Sequence, residues 1–171
     1  MKIFLAAYDP DWPRQFAAER EALRGVAGAA AEIEHIGSTS VPGLAAKPII
    51  DILIGAEDLG QTDCLVPALA GVGYGYVPEY EDELPERRYF EKFRDGRCTH
   101  HVHMVVTGSD FWVRHLAFRD FLRAHPEVRA DYEALKRRLS ERDWRDGNEY
   151  ADAKTEFIRA VEARARKTGA G

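Results

Sequence analysis

The stretch His35-Ile-Gly-Ser-Thr-Ser-Val-Pro-Gly-Leu-Ala-Ala-Lys-Pro-Ile-Ile-Asp-Ile52 constrains this chain more than any other. Residues 31–36 read as a short strand, 37–43 as a loop, and 48–54 as a strand apolar on both faces, the pattern of a covered central strand. A turn of small residues after a strand bares backbone N–H groups and hydroxyls, and glycine lets a ligand approach the main chain. Gly37, Ser38, Thr39 and Ser40 are therefore candidate phosphate-binding residues, and Lys47 can add a point charge to the same anion. The plainer alternative is a Gly/Ser/Pro loop with a surface lysine, because short turn motifs match widely. The segment is not a P-loop: Leu44 stands where that motif needs lysine.

Asp51 narrows the reading. It shares a strand face with Ile49 and Leu53 in an otherwise apolar run. An unpaired carboxylate there costs on the order of several kcal/mol, so it needs a metal, a lysine or backbone donors. A structural ion pair or a strand-end cap is the simpler alternative. Thr99-His-His-Val-His-Met-Val105 offers partners, since His101 and His103 point to one face of a strand. Neutral imidazoles ligate metals and carry protons. Asp51, His101 and His103 are thus the catalytic candidates, with Asp51 and His103 as ligands of a divalent ion and His101 as a ligand or proton carrier. Half-buried histidines with backbone partners are the alternative. Val105 rules out a histidine-triad arrangement, and no second His-x-Thr/Ser supports a two-histidine phosphoesterase.

Two further cations complete the candidate phosphate-binding set. Lys154 falls inside a helical stripe of Tyr150, Ala153, Phe157 and Val161, where a lysine either snorkels outward or meets an anion. Arg88, with Arg87 before it, follows the acidic run Glu79–Glu83; the plainer alternative is a solvated loop leading into a strand, but the arginines can close over a phosphate.

Elsewhere, residues 2–8 suit an edge strand, and Asp9-Pro10-Asp11 opens a helix carrying Trp12, Phe16 and Leu23. Leu59–Leu69 reads as helical, and residues 74–77, 89–93 and 101–106 as strands. The last third reads as helices with stripes at Phe111/Phe118/Leu122, Val128/Tyr132/Leu135/Leu139 and Tyr150/Ala153/Phe157/Val161. Strands first and helices last imply one α+β domain over residues 1–165, a mixed sheet covered by helices, with a frayed tail at 166–171. A net charge of −5 argues against a nucleic-acid footprint. Two distant cysteines, Cys64 and Cys98, fit a reducing cytoplasm. The N-terminal apolar run is too short for a signal peptide, and no stretch approaches a membrane span.

The sequence resembles the GrpB-like family, a branch of the nucleotidyltransferase superfamily whose module also occurs fused to dephospho-coenzyme A kinases. Tyr8-Asp-Pro-x-Trp12, His35–Leu44 with Ala46-Lys-Pro-Ile-Ile-Asp51, Arg88-Tyr-Phe90, His101-Val-His103, Phe118-Arg-Asp120, and Tyr150 with Lys154 carry the resemblance. It implies a mixed sheet with flanking helices and a nucleotide site at Gly37, Ser38 and Asp51. In the wider superfamily an Asp-x-Asp pair and a third carboxylate hold Mg²⁺. Here Leu53 occupies the second carboxylate position, and His103 falls at the third. A catalyst of this type therefore needs another carboxylate near Asp51, Glu34 first and Glu81 second.

Three functions follow as expectations. The first is a nucleotidyltransferase using Mg²⁺ or Mn²⁺ and acting on a nucleotide and a small-molecule acceptor. The second is a non-catalytic module binding a nucleotide or coenzyme A precursor. The third is a metal-dependent hydrolase. The expected partner is a small phosphate-bearing molecule, with neither nucleic acid nor membrane involved.

Overall fold

Asp9 and Asp11 precede the first helix, as the sequence implies. In the computed structural model, which describes residues 1–169, α1 spans Trp12–Ala27 with Pro13 in its first turn. Trp12, Phe16 and Leu23 form its buried face. The chain continues through β1 (Glu32–Ile36), a 3-10 turn (Ser38–Ser40), β2 (Ile50–Ala56), α2 (Leu59–Gly71), β3 (Gly75–Tyr76), β4 (Arg88–Arg94) and β5 (Arg97–Val106). Four helices close it: α3 (Asp110–Ala124), α4 (Pro126–Ser140), α5 (Gly147–Asp152) and α6 (Thr155–Thr168).

The strands form one mixed sheet in the order β1-β2-β5-β4-β3. Among the described residues only β2 and β5 run parallel. The α+β architecture read from the sequence is the one observed. One face carries Ile50, Ile52, Ile54, Phe90, Val102 and Met104 against Trp12, Phe16, Leu23 and Leu69. On the other face, Ile36, Leu53 and Val105 pack against Phe111 and Trp112 of α3. Beyond them, Val41 and Leu44 of the loop after β1 join Leu122, Val128, Tyr132 and Val161 from α3, α4 and α6. Burying apolar surface at about 25 cal/mol per Å² makes these two layers the main favourable term in folding.

Three local expectations change. Residues 2–8 make no strand; Ala6 forms an isolated bridge with Ala46, and the buried Ile3 packs with Leu139, Trp144 and Tyr150. The stripe beginning at Tyr150 belongs to two helices, because the chain breaks at Ala153 and Lys154 caps α6. A single spacing pattern runs across that break, so periodicity could not reveal it. The tail expected from residue 166 continues α6 through Thr168, while residues 170 and 171 lie outside the described ones. No described helix is long and apolar enough to cross a membrane.

Candidate functional site

Strand register places the acidic and imidazole groups together. Asp51 pairs with His101 and Leu53 with His103 across β2 and β5, and Tyr89 of β4 pairs with His103. Side chains directly opposite share a face. Asp51, His101, His103 and Tyr89 therefore line the face that α3 covers only in part. The Nδ1–H of His101 donates to Asp51 Oδ1 at 3.1 Å. Asp51 keeps 27% of its side-chain surface exposed, and His101 keeps 23%. Burial alone would lower the His101 pKa, but its bonds to Asp51 and Cys98 outweigh burial and raise it to about 10. Burial would push Asp51 upward; the bond from His101 and the nearby imidazoles hold its carboxyl below the ordinary range. The pair is an ionised one, imidazolium against carboxylate.

His103 has a different state. Burial, then the Arg87 guanidinium, hold its pKa well below the ordinary value despite Asp51. Arg87 Nη1 lies 3.4 Å from His103 Nδ1, which fits a neutral ring accepting there. The Arg87 guanidinium carbon sits 5.1 Å from the Tyr89 ring centre and 5.9 Å from those of Tyr80 and Phe111. Its Nε has no partner, and among the described residues no carboxylate pairs with it.

The loop after β1 is fixed from several sides. Gly37 has φ 69°, in the region favouring glycine, and a Cβ built there would collide with Asp51 Oδ2 and lie 2.9 Å from Asp51 Cβ. Only glycine allows the turn to press against the carboxylate. The Thr39 hydroxyl accepts from His35 and donates to Ile49 O at 3.2 Å, and the Ser40 hydroxyl donates to Gly37 O at 2.6 Å. Thr39 and Ser40 are both buried, so their hydroxyls serve the loop. Arg123 of α3 donates twice to Ser40 O, and Glu133 of α4 accepts from Ala45 N at 2.9 Å. Ser38 alone of the three hydroxyl residues remains half-exposed.

One lysine bonds that hydroxyl, and two more lie close enough to feel one another's charge. Lys136 of α4, 2% exposed, donates to Ser38 Oγ at 3.0 Å and to Ala45 O. Its ammonium lies 4.9 Å from the Tyr132 ring centre. Lys47 and Lys154 share one aromatic partner, with their ammonium groups 4.9 Å and 4.3 Å from the Tyr150 ring centre. Burial, with the charge of Lys154 beside it, lowers the Lys136 pKa to about 7. Burial and Lys47 lower Lys154 to about 8, against the pull of Asp51. Lys47 shifts down as well, chiefly by burial. Among the described residues none of the three lysines forms an ion pair within 4.0 Å. Mutual repulsion and burial make this a cation cluster short of negative charge.

The structure thus brings Gly37, Ser38, Lys47, Asp51, His101, His103 and Lys154 to one region. It keeps Arg88 out. On β4, Arg88 pairs with Met104 and points to the opposite face, where Asp63 accepts from its Nε at 2.7 Å and Glu81 lies 3.2 Å away. Arg87 occupies the site instead, and Lys136 is an addition that the sequence reading missed. The two candidate carboxylates are also committed elsewhere: Glu34 to Arg119 at 2.5 Å, and Glu81 to Arg88 and the Tyr76 hydroxyl. Leu53, with no exposed surface, is packed among Ile36, Val105, Phe111 and Trp112. The position that the resemblance equates with a second carboxylate is apolar core here.

Comparison with known proteins agrees with this architecture. The curated "UPF0157 protein YqkA" of Bacillus subtilis is 41% identical over 97% of the chain, and the match covers 48% of that relative, so the chain spans about half its length. A "Dephospho-CoA kinase" of Mycolicibacterium paratuberculosis is 33% identical over 95% of the chain and 46% of that protein. The crystal structure of conserved protein GrpB from Enterococcus faecalis superposes with a TM-score of 0.86 at 37% identity, covering 98% of this chain and all of that one. At the level of fold alone, the Cid1 poly(U) polymerase bound to MgGTP matches with a TM-score of 0.53 at 12% identity, over 81% of this chain and 45% of that one. The model of the "GrpB protein" family matches residues 2–164, and with that nearly complete match the chain belongs to the GrpB family, on a nucleotidyltransferase-like fold.

Proposed function

We propose that this protein binds a small phosphate-bearing ligand, a nucleotide or a coenzyme A precursor, with its phosphates at Ser38, Lys47, Lys136 and Lys154. The observation that carries the reading is the cluster of Lys47, Lys136 and Lys154, free of ion pairs within 4.0 Å among the described residues, with Lys136 bonded to the one half-exposed hydroxyl of the Gly37–Ser40 turn. Buried cations short of counter-charge are costly, and a polyphosphate supplies that charge together with acceptor oxygens. On this reading Arg87, which has no carboxylate partner among the described residues, would hold another part of the same ligand. The similarity to a dephospho-coenzyme A kinase supports a coenzyme A precursor as one ligand class. A net charge of −5 favours a small anion over nucleic acid. Free Cys64 and Cys98 suit a reducing cytoplasm.

The second reading is nucleotidyl transfer with one Mg²⁺ or Mn²⁺. Asp51 favours it, because this carboxylate stands directly behind the Gly37 turn and is partly exposed. Magnesium uses oxygen ligands and often takes one or two protein carboxylates plus substrate phosphates. Asp51 fits that role. His103 does not, since imidazole is a poor ligand for such hard ions and its Nδ1 faces the Arg87 guanidinium. The ion would neutralise phosphate charge. The residues themselves would hold the phosphates with lysines, and the His101 proton would stay on the Asp51 pair. A hydrolase built on the histidines is less favoured, because His101 is charged and His103 is enclosed by Arg87, Tyr89 and Phe111.

One assay separates these readings. ATP, CTP, GTP, UTP and dephospho-coenzyme A are titrated with and without Mg²⁺ or Mn²⁺ while melting temperature and pyrophosphate release are followed. A ligand that binds only the folded state raises its melting temperature. Stabilisation without pyrophosphate supports the binding module. Release that vanishes in Asp51→Asn and Ser38→Ala supports transfer. If no ligand stabilises the protein, both readings fail.

A further inference from the structure

We infer that Glu91, Cys98 and His101 form a zinc-class metal site, lying on the far side of His101 from Asp51 and separate from the lysine cluster. Ligand atoms of these three residues all lie within 4.8 Å of one another, and all three side chains are half-buried and accessible to an entering ion. The set is one thiolate, one imidazole and one carboxylate. Zinc accepts such mixed S/N/O ligands, and three protein ligands leave a fourth position for water or an exogenous group.

The backbone shows why these residues meet. Glu91 and His101 are direct cross-strand partners on β4 and β5. Cys98 is three residues from His101, so in a regular strand the two would face opposite sides. A register shift at Lys92/Phe93 breaks that alternation: His100 pairs with Lys92, but Cys98 pairs with Phe93, and Thr99 is left between them with its hydroxyl donating to Lys92 O. The bulge turns the thiol onto the His101 side. Bulges commonly re-aim a side chain in this way.

The surrounding groups match what a metal-bound histidine requires. The Nδ1–H of His101 is held by Asp51 at 3.1 Å, which leaves Nε2 as the nitrogen free to ligate once the ring is neutral. This carboxylate–histidine arrangement fixes ring orientation and increases ligand basicity. The Tyr89 hydroxyl lies 3.4 Å from Glu91 Oε1 and orients the carboxylate. Zinc at about 2.0–2.3 Å from each ligand brings ligand atoms to roughly 3.5 Å apart, so the three side chains close inward on loading. Binding of Zn²⁺ displaces the Nε2 proton of His101 and the Cys98 thiol proton; both leave to solvent, while the Nδ1–H stays on Asp51.

Cobalt and zinc titration of the full chain tests the site. After chelation and dialysis, Co²⁺ is added to wild type, Cys98→Ser, Cys64→Ser, Glu91→Gln and Asp51→Asn, each checked for folding by its melting curve. The wild type and Cys64→Ser take up one equivalent and develop a near-ultraviolet thiolate-to-cobalt band that Zn²⁺ abolishes. Cys98→Ser loses the band, Glu91→Gln binds more weakly, and Asp51→Asn weakens uptake about 10- to 100-fold through its effect on His101. Uptake below one equivalent in the wild type, or an unchanged band in Cys98→Ser, overturns the inference. Tripolyphosphate binding is measured in parallel. Its persistence in Cys98→Ser separates this site from the phosphate reading, so either can fail alone.

Discussion

Lys136 on α4 and Ser38 in the turn after β1, 98 residues apart in sequence, are joined by a 3.0 Å hydrogen bond in the site. That bond links the helical third of the chain to the sheet and completes a cation cluster that the first half of the sequence only begins.

The lysines give the site a defined pH dependence. Lys136 and Lys154 have folded-state pKa values of about 7 and 8, below their ordinary value of 10.5. Between those limits the unfolded chain binds more protons than the native one, so the stability of the ligand-free protein rises with pH from about 7 toward 10.5. A bound polyphosphate reverses the cause of the depression and draws protons onto the lysines. Ligand affinity should fall as pH rises through 7 to 9, with net proton uptake on binding. Calorimetry in buffers of different ionisation enthalpy measures that uptake. A pH-independent affinity would contradict it.

Asp51→Asn should leave the protein folded while changing His101. With the carboxylate gone, burial dominates and His101 should titrate below 6.5 instead of near 10. The raised pKa of His101 contributes stability fully present below about 6.5 and lost as pH rises through 10. Asp51, whose pKa is lowered, contributes stability above 3.8 that is lost as pH falls through its folded value. The variant should therefore lose most stability between about pH 4 and 6.5, where both contributions are complete. Imidazole NMR titration reads the shift directly; equal titration of His101 in both proteins would refute the ion pair.

Much of the fold was legible because burial imposes periodicity. Trp12, Phe16 and Leu23 marked α1, the apolar run around Asp51 marked β2, and alternation put His101 and His103 on one face. Other features depend on information that a local pattern lacks. Arg87 and Arg88 are adjacent, and only the β4 register decides that Arg88 turns away to Asp63. Cys98 reaches His101 through a bulge that no composition signals. Lys136 begins the basic run Lys136-Arg137-Arg138, which reads as a solvated helix face. A signal was present all the same: Lys136 follows Tyr132 by four residues and so lies on the buried stripe. The Gly37 turn was legible as a candidate anion site, but the inward commitment of Thr39 was not, because it rests on His35 and Ile49 reaching back to the loop.

Gly37 provides a test of local strain. Alanine at this position meets both a φ of 69° and a collision with the Asp51 carboxylate. Unfavourable backbone alone costs about 1–3 kcal/mol, so Gly37→Ala should destabilise by at least about 2 kcal/mol in urea denaturation. Gly25 lies inside α1, where an added methyl would meet nothing within 4 Å. Gly25→Ala should stabilise by about 0.5–1 kcal/mol. Equal effects at the two sites would contradict the close packing of the turn on Asp51.

The most direct test of the phosphate site uses inorganic tripolyphosphate, which lacks a base and sugar. Its affinity is measured by calorimetry near pH 7 for the wild type, Ser38→Ala, Lys136→Met, Lys154→Met and the remote control Lys92→Met. Charge-assisted hydrogen bonds contribute about 1.5–3 kcal/mol each. Wild type and control should bind, each lysine variant of the cluster should lose about tenfold or more in affinity, and Ser38→Ala should lose less. Undiminished binding in Lys136→Met and Lys154→Met, or no binding to the wild type, would contradict the phosphate site.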